Sequence, residues 1–236
     1  ITAMCVNNNE PLTALTAIKA NFYVCTNIIQ LPSLFNGATA LKEVPDSFNN
    51  MSRLTGAPSM FQNCISLTEL PDFYGLTRFE YGPAMFKNCN KVTTFPNGTL
   101  SKLTVASEMF ADCKSLTGNY SDKMIPPVEW ASFAPKLQYA NGMFSGCSKI
   151  TDIQTDLSET DINYMSGMFA GCTALTSDIA PILQFIARKW YTGATGYFAS
   201  AFKGCTGVTS GTNTYNDIIN DPTPVYEGAS QTMAEA

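Results

Sequence analysis

The chain has 236 residues, 45% of them hydrophobic and 14% charged, with a net charge of −5, eight cysteines and no histidine. It is too apolar and too sparsely charged to be disordered, and an acidic balance with no basic run argues against a nucleic-acid groove. Without histidine there is no Ser-His-Asp triad, no Cys-His dyad and no His-ligated metal, so the chain is not expected to be an enzyme and no cofactor is implied.

Residues 1–21 place Leu12, Leu15 and Ile18 three apart and read as a degenerate N-terminal turn or cap. Phe22-x-x-Cys25-x-x-Ile28-x-x-Leu31-Pro32 is a weak copy of a unit that sharpens downstream, and Leu34-Phe35-x-x-Ala38-x-x-Leu41 follows without a cysteine. The full motif, Met-Phe-x-x-Cys-x-x-apolar-Thr, then starts at Met60, Met85, Met109, Met143 and Met168, with Ala201 replacing methionine in the last copy. From Phe35 the motif phenylalanines are 26, 25, 24, 34, 25 and 33 residues apart. A base period near 25 falls in the range of leucine-rich repeats, one solenoid turn per unit. The two long spacings contain insertions, one between Cys113 and Met143 and the other between Cys172 and Phe202.

The half-turn before each Met-Phe is apolar at every third position, as in Leu54-x-x-Ala57-x-x-Met60 and Leu103-x-x-Ala106-x-x-Met109. That spacing fits neither a helix nor a strand, but it fits a coil of short straight segments joined by corners. Leu41–Pro45, Leu67–Pro71 and Val92–Pro96 read as short strands, each closed by a proline that cannot donate a further ladder bond. Stacked turns would join them into one parallel sheet. Thr55, Thr68, Thr93, Thr117, Thr151, Thr176 and Thr209 share one phase and predict an outward row on that sheet. It is either a polar binding strip or simply β-branched residues suited to a half-exposed strand. Asn, Asp or Gly before each motif cysteine suits a tight corner.

No C-x-x-C pair supports zinc or thioredoxin chemistry, so the six motif cysteines read as a buried ladder, one thiol per turn. Cys5 and Cys25 lie outside the ladder, and whether they pair is open. Both tryptophans fall in the insertions, where solenoids often carry binding loops. Tyr120, Trp130, Tyr139, Trp190, Tyr191 and Tyr197 are therefore the aromatic candidates for partner contact, the alternative being that they cover the core where the coil is interrupted. Asp152–Asp161 holds four carboxylates and reads as a solvated acidic loop. Asp178 is placed to cap a short helix with Ile182, Leu183 and Ile186 on one face. Residues 211–236 lose the repeat and read as a C-terminal cap or tail.

The units Met143-Phe-Ser-Gly-Cys-Ser-Lys-Ile-Thr151 and Ala201-Phe-Lys-Gly-Cys-Thr-Gly-Val-Thr-Ser210 resemble the BspA-like leucine-rich repeats of bacterial surface proteins. The Met-Phe variant also resembles the related surface repeats of mycoplasmas and gut bacteria. The resemblance covers roughly residues 22–210. It implies a cell-surface adhesion or recognition module that binds protein or glycan on another cell. Similar repeats in phage and virion proteins imply the alternative, a virion component in contact with neighbouring subunits. The expected fold is a single leucine-rich-repeat solenoid domain over residues 1–236, with a parallel sheet of short strands on one face and turns or short helical pieces elsewhere. No nucleic acid and no membrane span are expected, since no run approaches the roughly 18 apolar residues needed to cross a bilayer. The expected location is extracellular, at a cell surface or, in the alternative, on a virion.

Overall fold

A computed structural model describes residues 12–18, 22, 27–117, 124–126, 129–191 and 198–208. Within them the chain is a repeat protein whose units stack turn upon turn. The period of three comes from reverse turns. Met60 donates to Ala57, Cys64 to Phe61, and Leu67 to Cys64, each bond reaching back three residues and turning the next apolar side chain inward. Leu54, Ala57, Met60, Phe61, Cys64 and Leu67 are all fully buried, and their equivalents in the following turns match them.

Each turn bonds to its neighbours through the backbone. Phe61 N–H donates to Met85 C=O at 2.9 Å on one side of the coil, and Tyr81 N–H donates to Thr55 C=O at 3.0 Å on another. Among the described residues, parallel pairing in the half-turn before Met-Phe is a series of single bridges. They run Gln30–Gly56–Tyr81–Val105–Tyr139–Tyr164. The expected sheet along Leu41–Pro45, Leu67–Pro71 and Val92–Pro96 is not seen as a continuous ladder: these segments hold no extended strand, and Thr94 alone among them is a bridge residue. With a corner every third residue, too few consecutive residues are extended to build a ladder. A two-residue strand pair occurs where an insertion supplies a partner, β1 (Met124–Ile125) lying parallel to β2 (Asp152–Ile153). The threonine row also splits. Thr55 N–H bonds to Ile29 in the bridge half-turn, whereas Thr68 N–H bonds to Lys42, Thr117 to Thr93 and Thr176 to Thr151 on a different side.

The motif phenylalanines form one continuous stack. Phe35, Phe61, Phe86, Phe110, Phe144, Phe169 and Phe202 lie with successive centroids 5.4–5.6 Å apart and rings within 17° of parallel. Phe110 and Phe144 keep this geometry, 5.5 Å and 3°, across the first insertion. The residues two before and two after each phenylalanine are left-handed. Before it stand Ser33, Ser59, Ala84, Glu108, Gly142, Gly167 and Ser200, and after it Gly37, Asn63, Asn88, Asp112, Gly146, Gly171 and Gly204. The second set is the corner residue expected ahead of the cysteine.

The insertions pack back onto the stack. α1 (Trp130–Phe133) buries Trp130 and Phe133. α2 (Ala180–Tyr191) starts where Asp178 Oδ1 accepts the Ala180 N–H at 3.0 Å, buries Ile182, Leu183, Phe185 and Ile186, and carries Arg188 and Lys189 in its last turn. Cap, apolar face and basic end agree with the ordinary rules for a short helix.

Candidate functional site

The bridge row is an exposed face of the stack that carries aromatic groups in successive turns. Its residues stand immediately before the small or apolar wall position, so they turn outward while Ala57, Gly82, Ala106, Ala140 and Met165 turn inward. Tyr81 is 44% and Tyr139 38% exposed, and Val105 and Tyr164 are half-buried beside them. Tyr139 and Tyr164 stack with centroids 4.5 Å apart and rings 10° from parallel. At the N-terminal end the row becomes polar. The Gln30 amide lies over Gly56, where a Cβ would collide with it, and its Nε2 donates to Thr55 Oγ1 at 2.8 Å. The strip thus runs from a polar end to an aromatic end, one residue per turn.

Of the aromatic candidates named from sequence, Tyr139 lies in this strip, but as a repeat position rather than as part of an insertion loop. Trp130 is corrected to a core residue. It is fully buried, its Nε1–H donates to the Gln154 carbonyl at 2.8 Å, and its ring meets Phe133 and Phe144 edge-on. An indole that closes the gap left by an insertion cannot also meet a partner. Tyr120 and Tyr197 lie outside the described residues, as do Thr209, Cys5 and Cys25, and the side chains of Trp190 and Tyr191 are likewise outside them. Tyr81, Val105 and Tyr164 were missed. Their signal was the position four residues before each motif methionine, legible only once the outward phase of that half-turn is known.

Thr68, Thr93, Thr151 and Thr176 are exposed and Thr117 is half-buried. The hydroxyls of Thr68, Thr117 and Thr176 turn to the backbone. Thr68 Oγ1 donates to Lys42 C=O at 3.2 Å, Thr117 Oγ1 to Thr93 C=O at 3.1 Å and Thr176 Oγ1 to Thr151 C=O at 3.2 Å. Each hydroxyl keeps acceptor capacity toward solvent after that bond.

The motif cysteines are buried free thiols. Each donates to the phenylalanine carbonyl one turn back: Cys64 to Phe35 at 3.3 Å, Cys89 to Phe61 at 3.3 Å, Cys113 to Phe86 at 3.3 Å, Cys147 to Phe110 at 3.1 Å, Cys172 to Phe144 at 3.2 Å and Cys205 to Phe169 at 3.0 Å. Burial pushes the Cys64 and Cys113 thiols up to about 12 and Cys205 up to about 11, and it raises Cys89, Cys147 and Cys172 as well. They stay protonated and act as donors rather than nucleophiles. In the acidic loop, Asp156 Oδ1 accepts the Ser158 N–H at 2.8 Å, and the hydrogen bonds from Ser158 lower its pKa. Among the described residues no three Cys, Asp or Glu groups come together as a metal site, and no helix is long and apolar enough to cross a membrane.

Comparison with known proteins places these features. No curated protein matches the chain. A leucine-rich repeat protein of T. pallidum aligns at 22% identity and a TM-score of 0.39, covering 73% of this chain and 74% of that one. A leucine-rich repeat protein of Bacteroides ovatus aligns at 18% identity and a TM-score of 0.36, covering 87% of this chain and 61% of that one. The model of the family described as "Mycoplasma protein of unknown function, DUF285" matches residues 7–124 and 135–228, and its break falls inside the first insertion. The chain therefore belongs to the DUF285 family.

Proposed function

We propose that the chain is a non-enzymatic recognition module, displayed at a cell surface, that binds protein or glycan partners through the bridge row. In this reading the chain is one leucine-rich-repeat solenoid domain over residues 1–236. The observation that carries the proposal is the exposed strip Tyr81–Val105–Tyr139–Tyr164, aligned turn on turn at one edge of the coil. Aromatic side chains aligned on a rigid scaffold supply contact area at little cost in conformational entropy, and tyrosine is a frequent binding anchor. The threonine row on another side offers further polar contacts. The test is a screen of the purified chain against arrayed glycans and extracellular-matrix proteins, repeated with a Tyr139→Ala/Tyr164→Ala double variant. A partner held by the native chain and lost by the variant is the expected result. Partners bound equally by both would overturn the assignment to this face.

A further inference from the structure

Three residues before each bridge position lies another row. The register that aligns Gly56, Tyr81, Val105 and Tyr139 also aligns Arg53, Arg78, Lys102 and Lys136. All four are exposed, in four consecutive turns of a chain whose net charge is −5. Their separations along the chain, 25, 24 and 34 residues, conceal the row from any search for a basic run. Asn27 begins it, with its Oδ1 accepting from Arg53 at 2.9 Å, and Asp161 ends it, 3.7 Å from Lys136. Among the described residues, Arg78 and Lys102 have no ion-pair partner. Between this row and the tyrosine strip lie the buried Leu54, Phe79, Leu103 and Leu137, then the polar Thr55, Glu80, Thr104 and Gln138. Glu80 is the acid of that intervening row.

From this juxtaposition we infer that the face binds an extended acidic polysaccharide laid along the stack, its carboxylate or sulfate groups on Arg53, Arg78 and Lys102 and its sugar hydroxyls on the polar row and the tyrosine edges. The inference rests on the recognition reading above and names its ligand class. Parallel-bridged turns repeat at about 4.8 Å, so the row presents one cation per short, regular step. A linear polymer with an anionic group on each sugar unit meets that periodicity, and a row of like charges raises the local concentration of such a ligand. A nucleic acid fits less well. The rings of Tyr139 and Tyr164 cover one another's faces at 4.5 Å, leaving no gap for a base between them, whereas Tyr139 is 38% exposed to solvent.

The experiment measures binding of labelled oligogalacturonate and of a heparin oligosaccharide to the purified chain, with neutral malto-oligosaccharide, polyglutamate and single-stranded oligothymidylate as comparison probes. An acidic glycan should bind, more weakly as salt rises, and the comparison probes should not match it. Arg53→Ala, Arg78→Ala and Lys102→Ala should each weaken it about 5-fold, from the usual worth of one basic side chain facing an anionic surface. The triple variant should abolish binding at unchanged melting temperature, and Lys91→Ala, an exposed lysine off the row, should leave affinity unaltered. Failure of both acidic glycans, equal affinity for polyglutamate or oligothymidylate, or an equal loss with Lys91→Ala would overturn the inference. If it fails while the array screen still yields a partner lost on Tyr139→Ala/Tyr164→Ala, the recognition reading survives alone; if both fail, neither does.

Discussion

The thiol of Cys147 donates to the carbonyl oxygen of Phe110 at 3.1 Å, across 37 positions and an insertion. The same bond joins five other cysteine–phenylalanine pairs at 3.0–3.3 Å. In each, the thiol is a second donor to a buried carbonyl that already accepts the backbone N–H three residues on, so it fills that oxygen's other lone pair. Replacing Cys147 by alanine removes that second donor and opens a small void, while Phe110 keeps its bond from Cys113 N–H, so the cost should be about 1 kcal/mol. Replacement by serine, which keeps a hydroxyl at that place, should cost less. Urea unfolding of the two variants checks the order, and an alanine variant as stable as the native chain would count against the ladder.

The same thiols make the fold sensitive to alkali. Burial raises their pKa from the ordinary 9.0 to about 12 for Cys64 and Cys113 and about 11 for Cys205. In the unfolded chain they ionise near their ordinary value while the folded chain still holds the proton. Stability contributed by a raised pKa is fully present below the unfolded value and is lost as pH climbs toward the folded one. Melting temperature should therefore be flat near neutrality with respect to these groups and fall between about pH 9 and 12. A Cys64→Ala/Cys113→Ala variant should show a shallower fall than the native chain.

Phe110 lies between Phe86, 5.6 Å away, and Phe144, 5.5 Å away, and is fully buried. Phe110→Ala leaves a gap in the middle of the stack and should cost about 3–5 kcal/mol. An unchanged thermal or denaturant transition would contradict the packing described for that turn.

How much of this was legible depends on the range of the cause. The inward phase of Leu54, Ala57, Met60 and Cys64 was readable because packing repeats it in every unit. The cap at Asp178 was readable because it is local. The strands at Leu67–Pro71 were overread. The propensity of Leu-Thr-x-Leu for extension is real, but a corner every third residue outweighs it and leaves single bridges elsewhere in the turn. The left-handed state of Ser59, Ala84 and Glu108 was unreadable, because nothing in those residue types asks for it. Stacking imposes it, as the N–H groups of Ser59 and Ala84 are held by the next turn's Pro83 and Ser107 carbonyls at 2.9 Å. The basic row and tyrosine strip were invisible for the related reason that their members meet only through inter-turn register.

Two glycines separate close approach from backbone handedness. A Cβ on Gly75 would fall on the carbonyl oxygen of Asn49, a backbone atom that cannot move aside without shifting its turn. Gly75→Ala should cost about 3 kcal/mol or more. A Cβ on Gly37 meets nothing within 4 Å, but its φ of +79° is left-handed. Gly37→Ala should cost about 1–2 kcal/mol, the penalty of that conformation alone. Denaturant midpoints of the two variants should differ accordingly.

Trp130→Phe keeps an aromatic ring in the insertion pocket and deletes the Nε1 donor to Gln154. Loss of this half-buried hydrogen bond should cost about 1 kcal/mol. Because Trp130 is a core residue, partner binding at the tyrosine strip should be unaffected, which a binding measurement on the folded variant checks.

The ring stack, the thiol bonds and the inter-turn backbone bonds all connect one turn to the next, along the axis of the coil. Tension applied to the two ends therefore loads them in series and not together. The weakest junction yields first, its turn peels away, and the load passes to the following one. Such a molecule is a tether that lengthens in instalments of some 24–34 residues, giving way gradually under drag instead of snapping at a single threshold.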